Sequence, residues 1–402
     1  MTAMTGAPPS TDQVGGDAGP PVAVARPALR FNRAELSGAF GDIGTDLPLL
    51  VGVIIATGLD PTTTFVVYGV LQILSGLVYR MPMPVQPLKA MAAIAIAGGV
   101  SAPMLAAGGL LVGAVMLALA LSGGLTWIAG VVPKPIVRGI QLGLGLQLAQ
   151  LALTRYVPQQ GARGWAIGAV SLGIIALLIR NRRVPAALVV IALGFVYAAI
   201  TWPADTAAPF GFALPTLPQR MPTGDEFAKA ALLLALPQLA LSLGNSVLAT
   251  KQVVTDLFPE REALTVRKIG TTYALMNLAS APLGGLPVCH GSGGIAGHYA
   301  FGARTGGSIV LYGAFLIIGG LFLSNDPTTF QRLFPSAMLG ALLLVEAVAI
   351  LVLVRDLAVN RDAFIAATLC GLVAVFVPYG YAIALSAGTL AYWVYMRQRT
   401  KS

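Results

Sequence analysis

Pro84-Val85-Gln86-Pro87-Leu88-Lys89 and Pro287-Val288-Cys289-His290-Gly291-Ser292-Gly293-Gly294 open two apolar runs, 85–98 and 288–300. At about 1.5 Å per residue, neither run can cross a hydrocarbon core of roughly 30 Å as a helix alone. Both begin at a Pro-rich or Gly-rich break. Broken backbone is tolerated at membrane depth only where it lines a cavity, so two such runs at corresponding places point to a transport site. A shift of 203 residues lays Pro84-Val85-Gln86 on Pro287-Val288-Cys289 and Gly41-Asp42 on Gly244-Asn245; a shift of 200 lays Pro135 on Pro335. Chance matching of a few Pro and Gly residues is the competing account, and the matched places of the short runs count against it. Seven spans, an odd number, separate the copies, so the second half inserts upside down relative to the first. The expected fold is an all-α polytopic membrane protein of about fourteen transmembrane segments in a 7+7 inverted repeat, with half-helix spans at the third and tenth places.

The rest of the chain agrees with a lipid solvent. Of 402 residues, 10% are charged and 56% hydrophobic, with a mean hydropathy of +0.80, whereas a soluble chain is about 25% charged. Soluble enzymes, nucleic-acid binders and disulfide-stapled secreted domains are excluded. Apolar runs bounded by Pro, Gly or charge predict helices near 35–58, 62–79, 85–98, 102–123, 127–153, 162–180, 185–202, 226–250, 265–281, 288–300, 305–323, 334–354, 361–377 and 380–396. With the N-terminus inside, nineteen Lys and Arg fall in inner segments and five in outer ones, which predicts fourteen crossings and two cytoplasmic termini. Residues 1–33 read as a disordered cytoplasmic tail; Met1 to Pro27 lacks the charged-then-apolar pattern of a signal peptide. The net charge of +9 is scattered between apolar runs and forms no nucleic-acid patch. Two Cys and two His at these spacings build neither a disulfide framework nor a metal centre, and no P-loop occurs. No cofactor is expected.

Lys89 is the sharpest single residue, because an ammonium in an apolar span is costly unless it faces a cavity or a partner. It either offsets the charge of an anion or forms a structural pair with Asp42 or Asp46. The 203 shift sets it against Ser292, where the stretch Gly291 to Gly294 opens a short span with free backbone N–H groups, a natural anion site. The glycines alternatively only ease helix packing. Gln86, Gln238 and Asn245 are neutral hydrogen-bonders suited to substrate oxygens, and Thr45 joins them as a candidate contact. Asp42, Asp46 and Glu35 lie on the first span, and a carboxylate near an anion suits a proton carrier; fastening the break from Gly41 to Pro48 is the plainer role. His290 titrates near neutrality and either meets the anion, carries the proton or is structural. Glu346 is an intramembrane acid, functional or an anchor between moving parts, and His298 reads as interfacial.

The stretch Glu35 to Pro48, the run Met81-Pro-Met-Pro-Val-Gln-Pro-Leu-Lys89, Pro237-Gln238 through Asn245-Ser246, Asp256-Leu-Phe-Pro259, and Leu286-Pro-Val-Cys-His290-Gly-Ser-Gly-Gly-Ile-Ala-Gly297 through Phe301-Gly-Ala-Arg304 together resemble the molybdate transporters related to the sulfate permeases. The likeness covers nearly the whole chain after residue 33 and departs at Asp46, where an apolar or aromatic residue is expected. It implies a core domain (34–123 and 226–324), a gate domain (124–203 and 325–402, ending in the cytoplasm) and an extracytoplasmic loop at 204–225. It implies a molybdate dianion held between the third and tenth spans by Gln86, Lys89, His290, Gly291 and Ser292, and alternating access by core-against-gate movement. The expected activity is secondary import of molybdate coupled to protons through Asp42, Asp46, His290 or Glu346. Sulfate or tungstate is the alternative cargo, and bicarbonate or a nucleobase a remoter one. The expected partners are the oxyanion, the lipid of a bacterial inner membrane and a second copy of the chain.

Overall fold

The computed structural model describes residues 28–178, 181, 184–203, 210–261, 264–323 and 326–399. Of the tail expected at 1–33 only 28–33 fall among these, and 204–209 of the expected loop lie outside them. Helices cover the apolar runs read from hydropathy. The first run is a bent pair, α1 (Arg33–Ala39) and α2 (Ile43–Thr57), which meet at 42°. Next comes α3 (Pro61–Tyr79), started by Asp60, whose carboxylate accepts from Thr63 N at 2.6 Å, with Pro61 in the first turn. A strand, β1 (Val85–Pro87), leads into α4 (Lys89–Ala97), followed by α5 (Ala102–Ser122). The single helix expected over 127–153 is two, α6 (Gly124–Val131) and α7 (Lys134–Leu151), because Pro133 and Pro135 supply no N–H to a continuous ladder. Helices α8 (Gly161–Leu178) and α9 (Ala186–Ile200) complete this half.

The second half opens on a continuous rod, Gly224–Leu257. Within it α10 (Gly224–Ala230), α11 (Leu236–Leu241) and α12 (Ala249–Leu257) are joined by π turns at Ala231–Ala235 and Ser242–Leu248. Then come α13 (Val266–Ser280), β2 (Val288–His290), α14 (Ser292–Ala300), α15 (Gly307–Phe322) and α16 (Pro327–Leu333). Three helices end the chain: α17 (Ser336–Leu351), α18 (Arg361–Phe376) and α19 (Gly380–Arg399).

Among the described residues five helices are long and apolar enough to cross a membrane, six if the α1–α2 pair counts as one. The protein is a polytopic integral membrane protein. Its outer surface carries Trp127, Leu177, Ile200, Phe376 and Leu390 largely exposed, an arrangement costly in water and neutral in lipid. Inside, α3 packs along α15, α5 along α13, and α7 along α17 and α18. Gly69 and Gly313 let α3 and α15 approach: a Cβ on either would press on the other's carbonyl oxygen.

Two short elements among the described residues are strands. Residues 85–87 and 288–290, expected as helix starts, are strands that pair antiparallel, Val85 with His290, Gln86 with Cys289 and Pro87 with Val288. Pro84, Pro87 and Pro287 disfavour helical backbone before and within them. The helices that follow, α4 and α14, are nine residues each and begin 203 positions apart.

Candidate functional site

Two three-residue strands in a lipid-soluble protein leave backbone groups that cannot be left bare. Side chains from α3 and α13 meet them. Gln72 donates through Nε2 to Val85 O at 2.7 Å and accepts from Val85 N at 2.9 Å. Asn277 does the same for the second strand, donating to Val288 O at 2.6 Å and accepting from Val288 N at 2.9 Å. One turn further along each helix, Ser75 donates to Met83 O at 2.6 Å and Ser280 to Leu286 O at 2.7 Å. Tyr68 adds a second donor to Val85 O, at 2.6 Å. The two clamps follow one pattern, Gln-x-x-Ser and Asn-x-x-Ser, legible in the sequence as paired polar residues on otherwise apolar helices yet passed over there.

Because side chains alternate along a strand, Gln86 and Cys289 share one face, and Val85 and His290 the other. Gln86 Nε2 donates to Asp42 Oδ2 at 2.5 Å, and its Oε1 is buried without a partner among the described residues. Gly291 and Gly294 make room for this pair: a Cβ at 291 would overlap Gln86, and one at 294 would overlap the Asp42 carboxylate and the Pro84 ring. These two glycines admit side chains rather than helices.

Lys89 opens α4 and is buried, with Nζ 2.5 Å from Glu346 Oε1 on α17; the side chains are 5% and 16% exposed. Glu346 Oε2 accepts from Thr45 Oγ1 at 3.0 Å. The ion-pair partner of Lys89 is therefore Glu346, not Asp42 or Asp46 as the sequence suggested, although Asp42 lies near enough to act on Lys89 through space. One acid thus takes one oxygen to a cation and the other to a hydroxyl.

The two half-helix starts differ. At α4, Gln238 Oε1 accepts from Ala90 N at 3.0 Å and Met91 N at 3.2 Å, and its Nε2 donates to Ser242 Oγ at 3.0 Å. Gln238, expected against substrate, here caps the helix. At α14 the N-cap is Gly291, with no side-chain cap. The amides of Ser292, Gly293 and Gly294 take no partner among the described residues, and beside Gly293 a Cβ would meet nothing within 4 Å. The open position is that of Gly293 alone, since Asp42 and Pro84 fill the space beside Gly294. Asn245 lies in the π turn Ser242–Leu248 beside this region; its side chain is outside the described set.

His290 is not brought to this cluster. Its ring is fully buried on the opposite strand face, with Nε2 at 2.9 Å from Thr272 Oγ1 and Nδ1 at 3.4 Å from Pro84 O, and Tyr79 stacked edge-on at 5.1 Å. Asp46 is fully buried; its carboxylate has no hydrogen-bond partner among the described residues, with the Tyr68 and Tyr312 hydroxyls beside it. His298 is not interfacial: it is fully buried, its ring edge-on to Tyr312 at 6.2 Å, and neither ring nitrogen has a partner among the described residues. Glu35 fastens the fold, accepting from Arg304 N at 3.0 Å, Thr305 N at 2.9 Å and Ser308 N at 3.2 Å. Among the described residues no group of three or more His, Cys, Asp or Glu could hold a metal. The arrangement thus sets a buried ammonium and a hydroxyl on one carboxylate, with two further buried carboxylates, Asp42 and Asp46, nearby.

Comparison with known proteins gives a consistent result. Residues 34–148 and 230–350 match the family model described as molybdate transporter of MFS superfamily. Molybdate transporter 1 of Arabidopsis thaliana is 33% identical over 413 residues, covering 91% of this chain and 89% of that protein. Molybdate transporter 2 of the same plant is 32% identical over 383 residues, covering 83% of this chain and 81% of its own length. Among solved structures, the transmembrane domain of the cyanobacterial bicarbonate transporter BicA aligns with a TM-score of 0.65 at 17% identity, over 88% of this chain and 98% of that one. The murine anion transporter Slc26a9 in its inward-facing state aligns with a TM-score of 0.67 at 12% identity, over 92% of this chain and 69% of that one. At these identities the structural likeness is one of fold.

Proposed function

Because the chain belongs to the molybdate transporter family, we propose that it is a secondary transporter that imports molybdate by core-against-gate movement coupled to protons. Family membership makes it a carrier, not an enzyme. The observation that carries the substrate reading is the double grip on Glu346: Lys89 and Thr45 each hold one oxygen of a carboxylate in a buried site. A site that holds an internal carboxylate this way has the donors for an external oxyanion, and the three free amides of α14 with Ser292 extend it to a tetrahedral dianion.

The proposed architecture is fourteen spans in a 7+7 inverted repeat, with a core of 34–123 and 226–324 and a gate of 124–203 and 325–402. Its support is local symmetry. The sequence offset of 203 pairs Gln86 with Cys289, and the antiparallel register pairs the same two residues, as a two-fold axis through them requires. The matched clamps of Gln72 and Asn277 lie 205 residues apart, two more than the strands they hold. The proposed setting is a bacterial inner membrane with both termini in the cytoplasm and a second copy of the chain as partner. Asp42, Asp46, Glu346 and His290 are the proposed proton carriers, His290 being the least suited because both its ring nitrogens are engaged.

Calorimetric titration of the purified protein with molybdate, repeated in a large excess of sulfate, tests the cargo. Binding that survives sulfate is the expected result. Binding erased by sulfate would make the protein a general oxyanion permease, and no heat with either anion would reject the reading.

A further inference from the structure

We propose that Glu346 is the protein's own stand-in for the substrate, and that an oxyanion takes Lys89 and Thr45 from it only when a proton is delivered to Glu346. The inference rests on the transport reading above and adds the step that would link anion to proton. In the state described here the ammonium of Lys89 and the hydroxyl of Thr45 are both spent on the two oxygens of Glu346. A dianion entering beside α14 needs those donors. If Glu346 stayed ionised after losing them, one buried ammonium would face a dianion, the Glu346 carboxylate and the neighbouring Asp42, all partly shielded from water. Protonation removes that conflict: Glu346 Oε gains the proton, the Nζ–H bond to Oε1 is released to a substrate oxygen, and the new O–H can donate in turn.

Other charged groups on the surrounding elements do not supply the missing counter-charge. Lys89, Asp42 and Asp46 are the charged groups that act on one another at this site, both acids adding negative charge, and Asp42 accepts from Gln86. On α7, Lys134 and Arg138 both bind Asp356 near the end of α17. In the π turn after α7, Arg155 donates to Ala97 O at 3.1 Å and Tyr156 to Pro48 O at 3.0 Å. Arg163 on α8 is exposed. Neutralising Glu346 therefore falls to a proton. A stoichiometry of one proton per dianion follows, and binding that takes up one proton weakens by about tenfold for each pH unit as protons become scarcer.

The test is titration with molybdate at pH 7 in PIPES, HEPES and imidazole, whose ionisation enthalpies differ, so that the slope of the observed heat counts protons taken up. About one proton per molybdate is expected for the native protein. About none is expected for Glu346→Gln, whose affinity should be flat between pH 6 and 8 and exceed that of the native protein at pH 8. Glu346→Asp, which retains the carboxylate, should keep the proton and covers the case in which the Gln variant does not fold. Molybdate heat with no proton uptake in the native protein, or undiminished uptake in Glu346→Gln, would overturn the exchange and leave the transport reading standing. No molybdate heat in the native protein would overturn both.

Discussion

At Gly293 a methyl group would meet nothing within 4 Å, and it would stand in the first turn of α14, whose leading amides take no partner among the described residues. Gly293→Ala is therefore expected to leave the melting temperature unchanged while weakening molybdate binding at least tenfold, by paired melting and calorimetry; equal losses of both would place the residue in packing. His298 gives the opposite forecast. Two buried ring nitrogens without partners among the described residues cost stability, and His298→Phe keeps the ring edge against Tyr312 while removing them. The melting temperature should hold or rise, and a fall of more than about 5 °C would mean that the nitrogens are bound. At this scale the sequence exposed Lys89, because a cation in an apolar run is conspicuous whatever its surroundings. It did not expose Glu346 as the partner, 257 residues away, since which of several buried acids reaches an ammonium is decided by packing alone. His290 misled for a related reason: the motif shows that it is near the break, but strand alternation turns it to the face away from Gln86.

The element that defines the site is the strand pair with its two clamps. Asn277→Leu would leave both Val288 N and Val288 O without their side-chain partner, whereas Gln72→Leu leaves Val85 O with Tyr68. At about 1–3 kcal/mol for each buried group left unmet, Asn277→Leu is expected to lower the melting temperature by more than Gln72→Leu, and both should abolish molybdate binding. Equal melting temperatures to the native protein would show that the strands are held by something else. The breaks at Pro84, Pro87 and Pro287 were legible because proline forbids a helical ladder. The extended pairing was not, because three residues are too few to show a period of two and their partners lie some 200 positions away.

For the molecule as a whole, hydropathy located the helices, because lipid acts on long stretches at once, and the offset of 203 pointed to the two short strands that pair. How the helices meet was not legible. The Gly69 and Gly313 contact between α3 and α15 is one of many glycine spacings in the chain, and only tertiary structure distinguishes it. Gly313→Val should push these helices apart and cut the yield of monodisperse protein several-fold on fluorescence-detected gel filtration; an unchanged profile would show that the contact is dispensable. The strand pair also imposes an order on biosynthesis. Chain leaves the ribosome N-terminus first, so Val85–Pro87 and the nine-residue α4 are made some 200 residues before the segment that pairs with them. Until the segment 287–290 emerges, that stretch has neither the length to anchor itself in the bilayer nor the strand that completes its pairing, and Leu88 N lacks Pro287 O. A nascent chain halted between the two is thus a substrate for insertion chaperones and membrane proteases, and the speed with which the ribosome covers that interval becomes a determinant of yield.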